Sequence, residues 1–126
     1  MAEVVLDSSA LLALINGEPG GDIVEKALST AVMSSVNVAE AVSKLSDAGL
    51  PESQVRNCFG RLGINVVPFD EEQAFEAGFL SPVTRNYGLS LGDRACLALA
   101  KRRNLAALTA DRVWEDLSVA PVKVIP

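Results

Sequence analysis

The stretch Val4-Val5-Leu6-Asp7-Ser8-Ser9-Ala10-Leu11-Leu12-Ala13-Leu14-Ile15 decides the architecture. A short apolar run ends at an acid, and a helix-like apolar segment follows at once. A strand with no alternating polar positions is buried on both faces, as parallel strands covered by helices are. The pattern recurs along the chain. Strand-like runs fall at 3–7, 31–34, 64–68, 106–109 and 122–125, with helical patterns between them. Those helices are expected over 8–15, 21–29, 36–48, from Pro51 to near Gly63, from Asp70, from Ser81-Pro82 to Tyr87, over 91–103, and as one turn around Trp114. Strands alternating with helices predict an α/β fold, a three-layer α/β/α sandwich around a central parallel five-stranded sheet. With no repeat, linker or low-complexity segment, residues 1–126 are expected to form one domain.

Several local signals support this layout. Val38, Ala41, Val42 and Leu45 make an apolar stripe on the helix over 36–48. Glu71 and Glu72 follow Asp70 in a first turn, where the helix dipole favours negative charge. Phe75 and Phe79 are spaced to pack one turn apart, and Gly17, Gly20 and Gly21 read as a turn between helices. Trp114 is expected to anchor a core or an interface, with base stacking as the lesser alternative.

Composition removes whole classes of chemistry. The 126 residues contain no histidine, so there is no imidazole base, no Ser-His-Asp triad and no His-ligated zinc. Cys58 and Cys96 fit no zinc or redox spacing and are expected to be free thiols. No phosphate-binding loop or dinucleotide fingerprint is present. The N-terminal region carries Glu3 and lacks a basic stretch, so no signal peptide, no membrane association and a cytoplasmic location are expected. A net charge of −5 disfavours tight non-specific binding to nucleic acid, although a bound divalent ion would reverse the sign locally. Carboxylates, hydroxyls, Lys and Arg remain for catalysis.

Four acids then stand out. Asp7 and Asp111 each follow an apolar strand, Asp93 opens the helix over 91–103, and Glu40 lies on the helix over 36–48. Ligands of open parallel sheets bind outside the carboxyl ends of the strands. If strands one and four are neighbours, the three aspartates meet in one cleft. Each acid also has a plainer reading. Asp7 and Asp111 suit helix N-caps, Asp93 suits a first turn capped by Ser90, and Glu40 could pair with Lys44 one turn on. The coincidence of three aspartates at one sheet edge is what favours a site.

The segments Val4-Val5-Leu6-Asp7-Ser8-Ser9-Ala10-Leu11-Leu12-Ala13-Leu14, Asn37-Val38-Ala39-Glu40, Leu89-Ser90-Leu91-Gly92-Asp93-Arg94-Ala95-Cys96 and Leu108-Thr109-Ala110-Asp111 together resemble the PIN domain. More narrowly the chain resembles the VapC-type toxin ribonucleases of toxin–antitoxin pairs, over essentially its whole length. The resemblance implies that Asp7, Glu40, Asp93 and Asp111 are catalytic and hold metal. It implies that Thr109 is the hydroxyl beside the last acid, and that Ser8 or Ser9 orients Asp7. The residues after Asp111, including Glu115 and Asp116, are less typical of the family. An all-oxygen ligand set suits Mg²⁺ or Mn²⁺. The implied activity is metal-dependent hydrolysis of RNA, transfer RNA included, leaving a 5′-phosphate and a 3′-hydroxyl. The implied partners are a VapB-type antitoxin and a second copy of the chain.

Two carboxylates about 4 Å apart repel by roughly 4 kcal/mol at an effective dielectric of 20. Mutual repulsion is therefore expected to raise a proton affinity in the metal-free cleft. Arg94 and Arg112 flank two of the acids and are candidate RNA contacts, as is the Lys101-Arg102-Arg103 cluster, which equally suits a helix C-terminus. Two other folds with strand-end acids fit less well. A haloacid dehalogenase-like phosphotransferase needs a second acid where Ser9 stands. A receiver domain needs paired acids where Leu6 precedes Asp7, although Lys123 lies in the last strand. The alternative to an enzyme is an inactive PIN-like or receiver-like domain whose acidic pocket only binds.

Overall fold

The computed structural model describes residues 2–126. Five strands, β1 (Val4–Leu6), β2 (Ala31–Ser34), β3 (Asn65–Val67), β4 (Ala106–Thr109) and β5 (Val122–Val124), form one parallel sheet in the order β3-β2-β1-β4-β5. The helices are α1 (Ser8–Ile15), α2 (Gly21–Ala27), α3 (Ser35–Asp47), α4 (Glu52–Leu62), α5 (Glu71–Phe79), α6 (Ser81–Thr84) and α7 (Leu91–Arg103). The expected three-layer α/β/α architecture is present.

Alternation along β1 divides the core. Val4 and Leu6 face α1 to α4 in a cluster with Leu11, Val24, Met33, Ala41, Leu45 and Leu108. Val5 faces the other way, with Val32, Ala77, Leu97, Ala107 and Trp114, under α5 and α7. Successive strand side chains point to opposite faces, so three residues suffice to serve both layers.

The chain builds outward from β1 to β2 and β3, then returns to place β4 on the other flank of β1. The order of strands therefore reverses between β1 and β4, where such sheets bind ligands. The pairing Leu6↔Leu108 and the bond from the Asp7 N–H to the Leu108 carbonyl (3.1 Å) bring the ends of those two strands level.

Several boundaries differ from expectation. The second helix stops at Ala27 and tightens into a 3₁₀ turn over Leu28–Thr30. The α3 face that is fully buried comprises Asn37, Ala41 and Leu45, while Val38 and Val42 are only half-buried. Asn37 lies outside the apolar stripe because a polar residue gives no hydrophobic signal. Gly20 and Gly21 do more than turn the chain. Gly20 has φ +90° and a side chain there would strike Ile125, while one on Gly21 would strike the Ala13 carbonyl. Trp114 is wholly buried in the second core, within a 3₁₀ turn over Arg112–Asp116, which removes the base-stacking alternative.

Candidate active site

Asp7 ends β1 and caps α1, its Oδ1 accepting from the Ala10 N–H at 2.8 Å. The cap reading is therefore real, and it does not exhaust the residue. The Ser9 hydroxyl lies 2.8 Å and 2.9 Å from the two carboxylate oxygens, and the Thr109 hydroxyl donates to Oδ2 at 2.5 Å. Ser9 and Thr109 in turn accept from the Ala110 and Asp111 N–H groups, at 2.9 Å and 3.0 Å. The ends of β1 and β4 are thereby stitched through one carboxylate. Ser9, not Ser8, takes this part.

Asp7 is 3% exposed, and its pKa is raised from 3.8 to about 6. Burial is the chief cause, opposed by the bonds from Thr109, Ala10 and Ser9, with the charge of Asp93 a smaller upward push. Mutual repulsion, the cause expected from the sequence, is thus secondary to desolvation.

Asp93 lies in the first turn of α7. It exchanges bonds with Ser90 in a capping box, the Asp93 N–H to Ser90 Oγ at 3.1 Å and the Ser90 N–H to Asp93 Oδ2 at 3.0 Å. Glu40 makes no ion pair with Lys44. Its Oε1 instead accepts from Asn37 Nδ2 at 3.0 Å, and its carboxylate occupies the space where Gly92 lacks a side chain. One turn into α7, the buried Cys96 thiol is pushed well above its usual range by burial and then by the charges of Asp7, Asp93 and Glu40. All three charges are felt at that one thiol.

Asp111 stands apart. Its exposed carboxylate caps the 3₁₀ turn, accepting from the Val113 N–H at 3.0 Å. Its backbone, through Thr109, is what touches the Asp7 network. Among the described residues, no three acidic or cysteine side chains lie close enough together to hold one metal ion between them. The donor set nonetheless suits Mg²⁺ or Mn²⁺, because such ions are usually held by one or two carboxylates and keep several waters. A buried carboxylate with its pKa raised by desolvation is one that a bound cation would return to its charged form.

The basic candidates separate on inspection. Arg94 donates to the Ala77 carbonyl at 3.1 Å and is half-buried against α5. Lys101, Arg102 and Arg103 end α7, roughly 15 Å along the axis from Asp93, away from the acids. Arg102 is paired with Glu76 at 2.7 Å. Arg112 alone is both exposed and next to an acid of the set. Asn37 and Gly92 carry no acidic or basic signal, so nothing in the sequence marks them as part of the site.

A parallel sheet in this order, with a buried acid at the strand end beside its switch point, defines a class of α/β domains. The sequence pattern of the PIN domain matches residues 4–120, and the chain belongs to that family. No individual curated protein sequence matches it. The fold is similar to VapBC2 from Rickettsia felis bound to a promoter DNA fragment, at 16% identity and TM-score 0.77, covering 98% of both chains. It is also similar to DNA-bound VapBC from Salmonella typhimurium, at 19% identity, TM-score 0.77 and 98% of both chains. FitAcB from Neisseria gonorrhoeae matches at 22% identity and TM-score 0.67, covering 94% of this chain and 95% of that one.

Proposed function

We propose that this chain is a divalent-metal-dependent endoribonuclease, the VapC-type toxin of a toxin–antitoxin pair. The observation that carries the reading is Asp7, buried at the β1/β4 switch point, fixed by Thr109, Ser9 and the Ala10 N–H, and near enough to Asp93 to feel its charge. In this reading Asp7, Glu40 and Asp93 hold Mg²⁺ or Mn²⁺, directly or through water, and Asp111 contributes from the rim. A bound ion of this kind lowers the pKa of water and neutralises charge developing on a phosphodiester.

The chain's own part is positional. Thr109, Ser9 and the Ala10 N–H fix Asp7, so its oxygens need no reorganisation when charge develops. Ser90 holds Asp93 to the first turn of α7. Exposed Arg112 is placed to contact a phosphate of the RNA. A chain of net charge −5 is then drawn to RNA chiefly where an ion reverses the local field. The partners proposed are structured RNA, transfer RNA among the candidates, a VapB-type antitoxin and a second copy of the chain. Complexes named VapBC among the similar folds support the antitoxin. Among the described residues, no helix is long and apolar enough to cross a membrane. The cytoplasm is the proposed compartment.

The test is incubation of the purified protein with mixed RNA, with Mn²⁺ and with chelator. Cleavage that requires Mn²⁺, leaves 5′-phosphates and disappears in D7N is expected. Binding of RNA without cleavage under every metal condition would favour the inactive acidic-pocket domain instead.

A further inference from the structure

Helices α3 and α7 belong to opposite layers and meet over the carboxyl edge of the sheet. At that junction lies Asn37, a helix-interior amide that is wholly buried. Asn is a poor choice there on two counts, since it competes with helical hydrogen bonding and loses its water on burial. Its Nδ2 donates both to Glu40 Oε1 and to the Gly92 carbonyl, each at 3.0 Å. Both partners are acceptors, so the amide can only face this way round. Its Oδ1 is buried with no partner. An apolar residue at this position would avoid that desolvation cost, so packing alone does not account for the amide.

Gly92 completes the device. Its backbone is helical, where Ala is favoured over Gly, yet a Cβ would collide with the Glu40 carboxylate. Glu40 is otherwise a half-buried side chain with several rotors and, among the described residues, no ion pair. We propose that Asn37 is a positioning residue that locks Glu40 onto the first turn of α7, with Gly92 as the seat kept open for the carboxylate. This rests on Glu40 belonging to the acid site. Partners behind a ligand orient it, and removing them typically lowers metal affinity by 10–100-fold.

The test is Mn²⁺ titration of the full chain, read by the electron spin resonance of free Mn²⁺, on wild type, N37L, G92A, E40A and G92A/E40A. N37L and G92A are expected to bind Mn²⁺ at least tenfold more weakly while circular dichroism stays native. G92A is expected to add nothing once Glu40 is gone. G92A carries the test alone if N37L fails to fold. Wild-type affinity, within twofold, in a folded G92A or N37L would overturn the lock.

A second readout needs no metal. The Asn37 side-chain amide protons, identified by their loss in N37L or N37D, should exchange slowly in wild type and at least tenfold faster in E40A. If wild type binds no Mn²⁺, the nuclease reading falls and this exchange decides the lock by itself. Slow exchange that depends on Glu40 sustains it, and equal rates in wild type and E40A overturn it.

Discussion

Asp7 accepts from two hydroxyls and one backbone N–H, and burial still lifts its pKa to about 6. In an unfolded chain the group titrates near 3.8, so the metal-free native state binds the extra proton between those values. The stability this contributes is complete below pH 3.8 and is lost as pH rises through 6, by about 3 kcal/mol for a two-unit shift. Denaturant titrations in EDTA at pH 4.5 and 7.5 should show wild type losing more stability than D7N between the two conditions. Equal losses would show that Asp7 titrates normally.

The same residue separates cap from catalyst. Asn caps as well as Asp, so D7N should keep or gain stability at pH 7.5 while cleavage falls at least 100-fold. D7A forfeits the cap as well and should lose about 1–2 kcal/mol. Because Asp111 is exposed and committed to the Val113 N–H, D111N should cost cleavage much less than D7N or D93N. Rates measured at saturating Mn²⁺ settle the order, and an equal loss in D111N would mean that this carboxylate touches the cation directly.

At the scale of elements, Gly20 and Gly21 let α2 fold back on α1 and seat the chain end near Ile125. G20A combines a left-handed backbone with a contact at 2.8 Å to the Ile125 Cβ, and should cost about 2–4 kcal/mol. Thermal melts check this; a change within 0.5 kcal/mol would mean the loop adapts. The strands and most helices were legible because short apolar runs alternating with amphipathic segments admit few other arrangements. Ends were less legible, as with the 3₁₀ turn that closes α2, since a last turn is set by packing and not by residue type. The acids were visible as residues, but which of them lie near one another depends on α3 meeting α7 beside β1, which no single segment states. Asn37 and Gly92 were invisible in their roles, because neither a buried amide nor an absent side chain leaves a periodic trace.

Across the whole molecule, charge and apolar surface are unevenly placed. Asp7 is buried at the carboxyl edge of the sheet, while Phe75 (55% exposed) and Phe79 (74% exposed) lie on α5 with ring centroids 6.2 Å apart and planes tilted by 34°. Val83 is exposed on α6, the next helix in the chain. Exposed apolar patches of this kind mark interaction surfaces. If the chain pairs with itself as proposed, this face is the place to expect it. F79D should then shift the sedimentation coefficient from dimer to monomer with the far-ultraviolet spectrum unchanged, and a dimer persisting in F79D would move the interface elsewhere.

In the proposed nuclease, acids from β1, α3 and α7 form one cation site at the carboxyl edge of the sheet. Anomalous diffraction from a crystal soaked in Mn²⁺ tests it most directly. A peak bounded by the oxygens of Asp7 and at least one of Asp93 and Glu40 is the expected result. A well-ordered soak with no peak there, or with Mn²⁺ held at Asp111 alone, would contradict it.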